Sequence, residues 1–534
     1  MRGTGRAGRR RFLVRSGLMV SAAASRAIWP ARASAGDKTA APAIVTADSL
    51  RPQLAQGLQI GDVLADRALI WARSDRAARL QVEWDVDEQF RTPRRVRGPY
   101  ALEDTDFTAR VDLMGLPADR RIYLRVRFEG LASNAASAPL AGVFRTAPEQ
   151  RRDVRFLWSG DTAGQGFGIN PEIGGMRIYE TMRLRQPDFF IHSGDTIYAD
   201  GPIVSELQVE GGKRWRNLVT EEKQKVAETL AEFRGHQRYN FLDENLRRFN
   251  SEVPQIWQWD DHEVVNNYSA SKQLTDDPRY TEKNVALLAA RGQRAFLEYA
   301  PLRYHGVEES ERIYRHIPYG PLLDVFVVDM RSYRAPNGEN REPQLGAASA
   351  FLGRPQLRWL KRGLLGSRAI WKVIAADMPI GLVVTDGKDA QGRDRFEGIS
   401  NGPGPALGRE LEIAGLLRFL KRQQIANVLW LTADVHYTAA HYYDSAKAVF
   451  SDFDPFWEFV SGPLNAGTFG PNAPDPTFGL QVVYKKVAPV PNASPLAGHQ
   501  FFGEVEIRGS DATLHVKLRD STGTVLFERR LEPR

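Results

Sequence analysis

Short apolar runs in the longer, C-terminal part of the chain keep stopping on an aspartate. Phe156-Leu157-Trp158 leads into Ser159-Gly160-Asp161, and Phe189-Phe190-Ile191 into His192-Ser193-Gly194-Asp195. Ile256-Trp257 leads to Trp259-Asp260-Asp261-His262-Glu263, and Val428-Leu429-Trp430-Leu431 to Thr432-Ala433-Asp434-Val435-His436. Runs this short and apolar predict buried strands, and 323–328 and 371–376 are two more. Between them, 282–299, 356–366 and 408–424 predict helices; in the last, Leu411, Leu416, Leu417 and Leu420 form an apolar stripe. Strand–helix alternation predicts a layered α/β domain over 152–533. The charged stretch 201–250 predicts a helical excursion over the sheet edge. Residues 462–500, rich in Pro, Gly and Asn, predict a long loop near the site, and 501–533 alternate again as strands that close the sheet.

Residues 56–148 carry a different pattern. Runs at 68–72, 80–84, 107–111 and 122–127, several of them alternating apolar and polar, are separated by turn-forming stretches. This predicts a small antiparallel β-sandwich of fibronectin type III kind; the competing expectation is a β extension of the next domain. Residues 36–55, rich in Ala, Pro and Thr, predict a linker. A chain of 534 residues exceeds one ordinary core and fits two or more domains.

The first 35 residues hold eight arginines and no acid. Arg9-Arg10-Arg11-Phe12-Leu13, a weakly apolar stretch and Ala-x-Ala sites predict a twin-arginine (Tat) signal peptide over 1–35. Removing those eight charges takes the formal +7 to −1, so the mature chain carries no electrostatic footprint for nucleic acid. There is no cysteine, which excludes disulfides, thiolate ligands and a cysteine nucleophile. No apolar run after the leader approaches the ~20 residues of a membrane span.

In an open α/β sheet, ligands bind outside the carboxyl ends of the strands. Carboxylates delivered together to that edge repel one another unless cations neutralise them, so the leading expectation is a multi-metal site. Asp195, in Gly194-Asp195-Thr196-Ile197-Tyr198, has two oxygens with which to bridge two cations. Tyr198 is a phenolate candidate; a free phenol has a pKa of about 10, so this ligand calls for a strongly polarising ion such as Fe(III). Asp161 is expected on the first cation and Asp261 on the second. His262 is placed to hold phosphoryl oxygens or to protonate a leaving alkoxide. Asp434 and His436 stand at i and i+2, on one side of an extended segment. Asp377 is a further ligand candidate, with a turn-capping role an equal reading. Asp329 and Arg331 are read as a structural ion pair.

With these residues the chain resembles the PhoD-like alkaline phosphatase/phosphodiesterase family, within the calcineurin-like metallophosphoesterases. The likeness spans most of the mature chain. It rests on Phe144-Arg145-Thr146-Ala147-Pro148, the Gly194-to-Tyr198 element, Asp260-Asp261-His262-Glu263 and Asp434-Val435-His436. Tyr198 is also similar to the ligand tyrosine of purple acid phosphatases. The superfamily's first block is Asp-x-His; here Ala163 stands at the histidine position, and loss of that histidine with gain of Tyr198 follows the purple-acid pattern. Some PhoD-like proteins carry Cys where this chain has Asp161. The superfamily's Gly-His-x-His is here Ala433-Asp434-Val435-His436, and the extra carboxylate favours Ca(II) or Mn(II) over Zn(II).

The resemblance implies an Fe(III) with Ca(II), and Mn(II) or Zn(II) as alternatives. It implies an exported, periplasmic or extracellular phosphoric ester hydrolase that uses a metal-activated water on mono- or diesters, with Asp195 and His262 central. A phospholipase D-like diesterase is the alternative within that class. An exported binding protein holding only structural calcium is the alternative outside it. The implied partners are a phosphate ester and the Tat export machinery.

Overall fold

Alternation inside the apolar strands decides the layering. In Val154–Ser159, Phe156 and Trp158 enter one core while Leu157 enters another; Phe189 and Ile191 separate from Phe190 in the same way, and Ile256 from Trp257. Successive strand residues face opposite sides, so a strand apolar on both faces must be covered on both. The inner face meets a second sheet, whose Val325, Val327, Val373, Ala375, Leu429 and Leu431 complete that core. Each Val or Leu among them contributes about 1.5–3 kcal/mol by leaving water. The outer faces are covered by helices: Leu230–Asn240, Glu244–Glu252 and Val285–Tyr299 on the first sheet, Gly353–Gly366 and Glu410–Arg422 on the second. The order helix, sheet, sheet, helix is the layered α/β architecture expected. This computed structural model describes residues 47–131, 135–304 and 311–534; the predicted signal peptide and residues 36–46 of the predicted linker lie outside them.

The first sheet has nine strands, with Val154–Ser159, Phe189–Ser193 and Gln255–Gln258 parallel and adjacent. The second has seven, with Leu323–Val327, Trp371–Ala375, Val428–Thr432 and Phe456–Val460 parallel. The parallel strands of each sheet therefore bring their carboxyl ends to one edge of it. Strands Phe501–Ile507, Leu514–Asp520 and Val525–Leu531 extend the first sheet beside Val154–Ser159, as the alternation of 501–533 predicts.

Helix ends follow local chemistry. The Asn284 side chain accepts the Leu287 N–H, which starts that helix at Val285 rather than 282. In Glu410–Arg422 the buried stripe is Ile413, Leu416, Leu417 and Leu420; Leu411 is only half-buried, because the i, i+3, i+4, i+7 spacing selects Ile413. The 201–250 stretch is α-helical only from Leu230, with a 3-10 turn at Glu222–Gln224 before it. Before it lies a hairpin, Glu206–Gln208 with Arg214–Arg216, turned by Gly211 and Gly212 at φ of 70° and 69°. The 462–500 loop contains one full strand, Leu480–Lys486, paired with Thr438–Tyr443.

The N-terminal β region divides between two sheets. Arg94–Ala101, Ala78–Asp85, Arg121–Gly130 and Leu140–Arg145 form a four-stranded antiparallel sheet. Leu58–Gly61, Arg67–Arg73 and Thr108–Met114 instead continue the nine-stranded sheet beyond Gln255–Gln258. The two leaves enclose their own core of Leu58, Ile60, Ile70, Leu80, Val82 and Val126. Joining the large sheet pairs an edge that would otherwise stand open. Buried tethers reinforce the join: Arg315 grips Asp62 at 2.9 Å, and Trp71 Nε1 donates to the Glu298 carbonyl at 2.8 Å. Part of this region is thus a separate antiparallel sheet and part an extension of the large sheet. Among the described residues no helix is long and apolar enough to cross a membrane.

Candidate metal centre

Four of the predicted ligand residues share an uncommon backbone. Asp161, Asp195, Asp434 and His436 have φ of 64°, 51°, 62° and 58°, the left-handed region that is uncommon outside glycine and is entered chiefly by Asn, Asp and His. Each lies just past the end of a parallel strand, where the left-handed step turns the chain across the sheet edge. The Asp161 N–H donates to the Gly194 carbonyl at 3.2 Å and the Thr162 N–H to the Asp195 carbonyl at 3.0 Å. At Gly194 a Cβ would lie 2.5 Å from Asp260 Cβ, so only glycine lets these turns pack so closely. Glu263 ties them together: Oε1 accepts the Thr196 N–H and Oγ1–H at 2.6 Å each, and Oε2 accepts the Asp260 N–H at 2.8 Å.

The side chains converge. Asp161, Asp195 and His436 offer ligand atoms within 4.8 Å of one another, as do Asp195, Asp261 and His262, and Asp260, Asp261 and Asp434. Asp195 and Asp261 each belong to two of these groups. Tyr198 Oη lies 3.0 Å from His436 Nε2, and that nitrogen lies 3.4 Å from Asp161 Oδ1. His436 Nδ1–H donates to the Gly467 carbonyl, which leaves Nε2 with its lone pair facing the cluster. The Tyr198 and His262 rings lie 4.3 Å apart. Seven of the sequence candidates therefore meet at one edge.

Asp377 is placed differently. Its Oδ2 lies 3.3 Å from Arg331 Nε, and it belongs to none of the three groups. The ion pair expected between Asp329 and Arg331 is replaced by another arrangement. Asp329 Oδ1 accepts the Arg331 backbone N–H at 2.9 Å and Trp259 Nε1–H at 3.0 Å. The Arg331 guanidinium reaches Asp260, Asp377 and Glu397. These long-range acids outcompete the local one because the guanidinium is buried and needs more than one partner.

Sequence reasoning also missed Asp200. Its Oδ1 lies 2.6 Å from His262 Nδ1, and its Oδ2 accepts the Asn266 N–H at 2.8 Å. The available signal was its place five residues past Asp195. Beside His262 opens a cleft of about 370 Å³ lined by Gln165, Tyr198, Asp200, Asn266 and Arg279.

The electrostatics are those of a site short of positive charge. Burial pushes the Asp161 and Asp195 carboxyls well above the usual carboxylate range, with Asp434 adding to the effect at Asp161. Asp434 is pushed up to about 8, by burial first and against the pull of Arg331. Burial also raises Asp261, but His262 and Arg331 outweigh it and hold that carboxyl low. Burial, then Asp195 and Asp161, drive the Tyr198 phenol well up, so phenolate forms there only beside a strong cation. Asp161 Oδ2 is buried without a hydrogen-bond partner. Oxygen-rich donors, an orphaned carboxylate oxygen and an imidazole nitrogen of His436 turned to the cluster fit a pair of bound cations.

Two stacked sheets flanked by helices, with carboxylates and imidazoles gathered at their carboxyl edge, define a layered α/β protein with a candidate site for more than one cation. Residues 156–518 match the PhoD-like phosphatase family and residues 38–148 match the PhoD-like phosphatase N-terminal domain. The chain belongs to the PhoD-like phosphatase family. It is similar to alkaline phosphatase D of Bacillus subtilis (strain 168), 27% identical over 405 residues. That match covers 71% of this chain and 64% of the relative, so it spans less than two thirds of the relative's length. A solved structure of PhoD superposes with a TM-score of 0.66 at 20% identity, over 92% of this chain and 94% of that one. Purple acid phosphatase PPD1 from yellow lupin superposes at 0.54 and 12% identity, over 90% and 74%. At these identities both likenesses carry the fold alone.

Proposed function

We propose that the chain is a metal-dependent phosphoric ester hydrolase. The observation that carries this reading is the sharing of Asp195 and Asp261 among three adjoining donor groups, the arrangement of a multi-cation centre. Asp161, Asp195, Tyr198 and His436 would hold one cation, with Fe(III) favoured by the phenol. Asp195, Asp261 and Asp434 would hold the other, with Ca(II) favoured by the carboxylates and Mn(II) or Zn(II) as alternatives. When bound, such cations supply Lewis-acid polarisation of the phosphoryl group and lower the pKa of water.

The chain's own residues supply the rest. His262 lines the cleft while its Nδ1 is held by Asp200, a placement suited to steadying the phosphoryl group and giving a proton to the leaving alkoxide. The charge of Asp200 favours the protonated ring. Gln165, Asn266 and Arg279 line the cleft beyond and suit a hydrogen-bonding leaving group. The lower-ranked reading, a protein holding calcium for structure only, gives no role to the Tyr198–His436 contact or to the Asp200–His262 pair.

Asp195→Asn tests the assignment. Turnover of p-nitrophenyl phosphate and bis-p-nitrophenyl phosphate is expected to vanish while folding persists; wild-type turnover in that variant would falsify it. Rates on those two esters and on phosphatidylcholine separate monoesterase, diesterase and phospholipase D-like action. A visible Tyr-to-Fe(III) absorbance, lost in Tyr198→Phe, tests the iron. Export by the Tat route to the periplasm or medium is part of the same proposal, tested by replacing Arg10 and Arg11 with Lys and following secretion.

A further inference from the structure

Arg331 stands behind the candidate metal centre and reaches into it. It follows strand Leu323–Val327 of the seven-stranded sheet and is fully buried. Nε lies against Asp260 and 3.3 Å from Asp377, and Nη1 lies against Glu397. Glu397 in turn holds Arg334 at 3.0 Å. Those contacts engage Nε and Nη1. Nη2 is buried without a hydrogen-bond partner, and it lies 3.6 Å from Asp434 Oδ1 and 3.9 Å from Asp261 Oδ1.

Asp260, Asp261 and Asp434 have the spacing of a cation site, yet a guanidinium already stands against all three. We propose that Arg331 is a resident positive charge that holds Asp261 and Asp434 in ligand position before any metal arrives, and that loosens the grip of the divalent cation bound there. The proposal rests on the metal-dependent reading above and adds a positioning residue that sets how tightly the second cation is held. An arginine does not lose its proton inside a protein, so its charge stays when the cation enters. Like charges a few ångströms apart repel strongly where water is excluded. The same charge spares the acids their mutual repulsion in the metal-free protein. Arg331 thus gives order to the empty site and takes affinity from the filled one.

A purely structural arginine predicts that any damage to this network weakens metal binding. Two variants distinguish the cases by sign. Arg331→Met keeps length and apolar contact and removes the charge. Glu397→Gln keeps the guanidinium and removes a counter-charge on its far side, leaving more of its repulsion to act on the cation. The readouts are the Kd for Ca(II), by calorimetric titration of chelator-stripped protein, and the Tm of the metal-free state. Arg331→Met is expected to bind Ca(II) at least about tenfold tighter while its metal-free form melts lower, and Glu397→Gln to bind at least about threefold weaker. Arg331→Lys, which keeps the charge, should stay closest to wild type. Weaker or unchanged binding in Arg331→Met overturns the proposal. If that variant does not fold, Glu397→Gln decides alone, and unchanged or tighter binding there overturns it. Absence of Ca(II) binding in the wild type overturns it too. Failure of the hydrolase reading looks different: the wild type would bind Ca(II) and cleave no phosphoester, and the comparison of affinities would still stand.

Discussion

Asp200→Asn separates the handling of protons from the holding of metal. Asp200 is buried, 2.6 Å from His262 Nδ1 through one oxygen and 2.8 Å from the Asn266 N–H through the other. An asparagine of the same shape cannot serve both neighbours. With its oxygen toward His262, its amide nitrogen faces the Asn266 N–H, donor against donor. Turned over, it donates to Nδ1 and fixes the ring proton on Nε2 in a neutral imidazole. Either way the charge that supports an imidazolium is gone. No candidate ligand group loses a member, because Asp200 belongs to none of them. Transfer of a proton by a positioned side chain contributes 10²–10⁴-fold, so kcat on an alkyl phosphoester should fall about 10²-fold. An activated aryl ester departs without a proton and should lose less than about threefold. The assay is steady-state kinetics on a matched alkyl and p-nitrophenyl pair, with metal content measured on the same preparations. Equal losses on both esters at full metal loading would refute His262 as the proton donor.

Other perturbations test other parts of the argument. In Gly164→Ala the new Cβ would lie 2.1 Å from Tyr198 Cδ2, so the ring must move; loss of any tyrosine-to-iron absorbance and at least about a tenfold drop in kcat are expected. Leu431→Ala opens a cavity between the two sheets and should cost about 2–5 kcal/mol in urea unfolding, with metal affinity unchanged. Stripping the metals should lower Tm, by the loss of about 2.7 kcal/mol if the cations had been present at 100 times their Kd, and an unchanged Tm would count against a site built on uncompensated carboxylates. Burial pulls the Lys223 ammonium down to about 7, against the opposing pull of Asp200, while an unfolded lysine titrates near ~10.4. Between those values only the unfolded chain binds the proton, so this stability is fully present above ~10.4 and is lost as pH falls toward 7, by up to about 1.4 kcal/mol per unit. Lys223→Met should flatten that slope, and equal slopes in the two proteins would refute it.

The sequence was most legible where one short run carried both a strand and its chemistry. Asp161, Asp195, Asp261 and Asp434 could be found because an apolar run predicts a strand and its end predicts an edge. The failures involve partners far apart in the chain. Arg331 was paired with Asp329 two residues away, whereas its guanidinium meets Asp377 46 residues off and Asp260 71 residues off. Asp200 meets His262 only because the Ala199 N–H docks on the His262 carbonyl at 2.8 Å, a contact no local pattern encodes. The N-terminal alternation spoke for strands but not for the sheet they would join; the Gly61–Gln255 register decides that. At 201–229 the error was one of weighting. The charge density there favours helix, while Gly211-Gly212 marks the turn of a hairpin.

On the proposed assignment, the same geometry couples metal to fold. Asp161, Asp195 and Asp261 come from the nine-stranded sheet, and Asp434 and His436 from the seven-stranded one. With no cysteine in the chain, no disulfide can fasten those sheets at their carboxyl edge. The apolar layer of Phe156, Trp158, Val327 and Leu431 holds their middles, but the edge gathers buried carboxylates whose charges push apart. A charged tie crosses it, Arg331 of the second sheet on Asp260 of the first, beside hydrogen bonds such as Trp259 Nε1–H to Asp329. A cation shared by ligands from both sheets is a further tie, and it relieves the repulsion that the first leaves over. Left-handed backbone at four candidate ligand residues adds strain of order 1–3 kcal/mol each, which persists only if the surrounding packing outweighs it. Under that assignment, a bound cation does at this edge what a covalent link does elsewhere, and its candidate ligands are the residues that would tie the two sheets together.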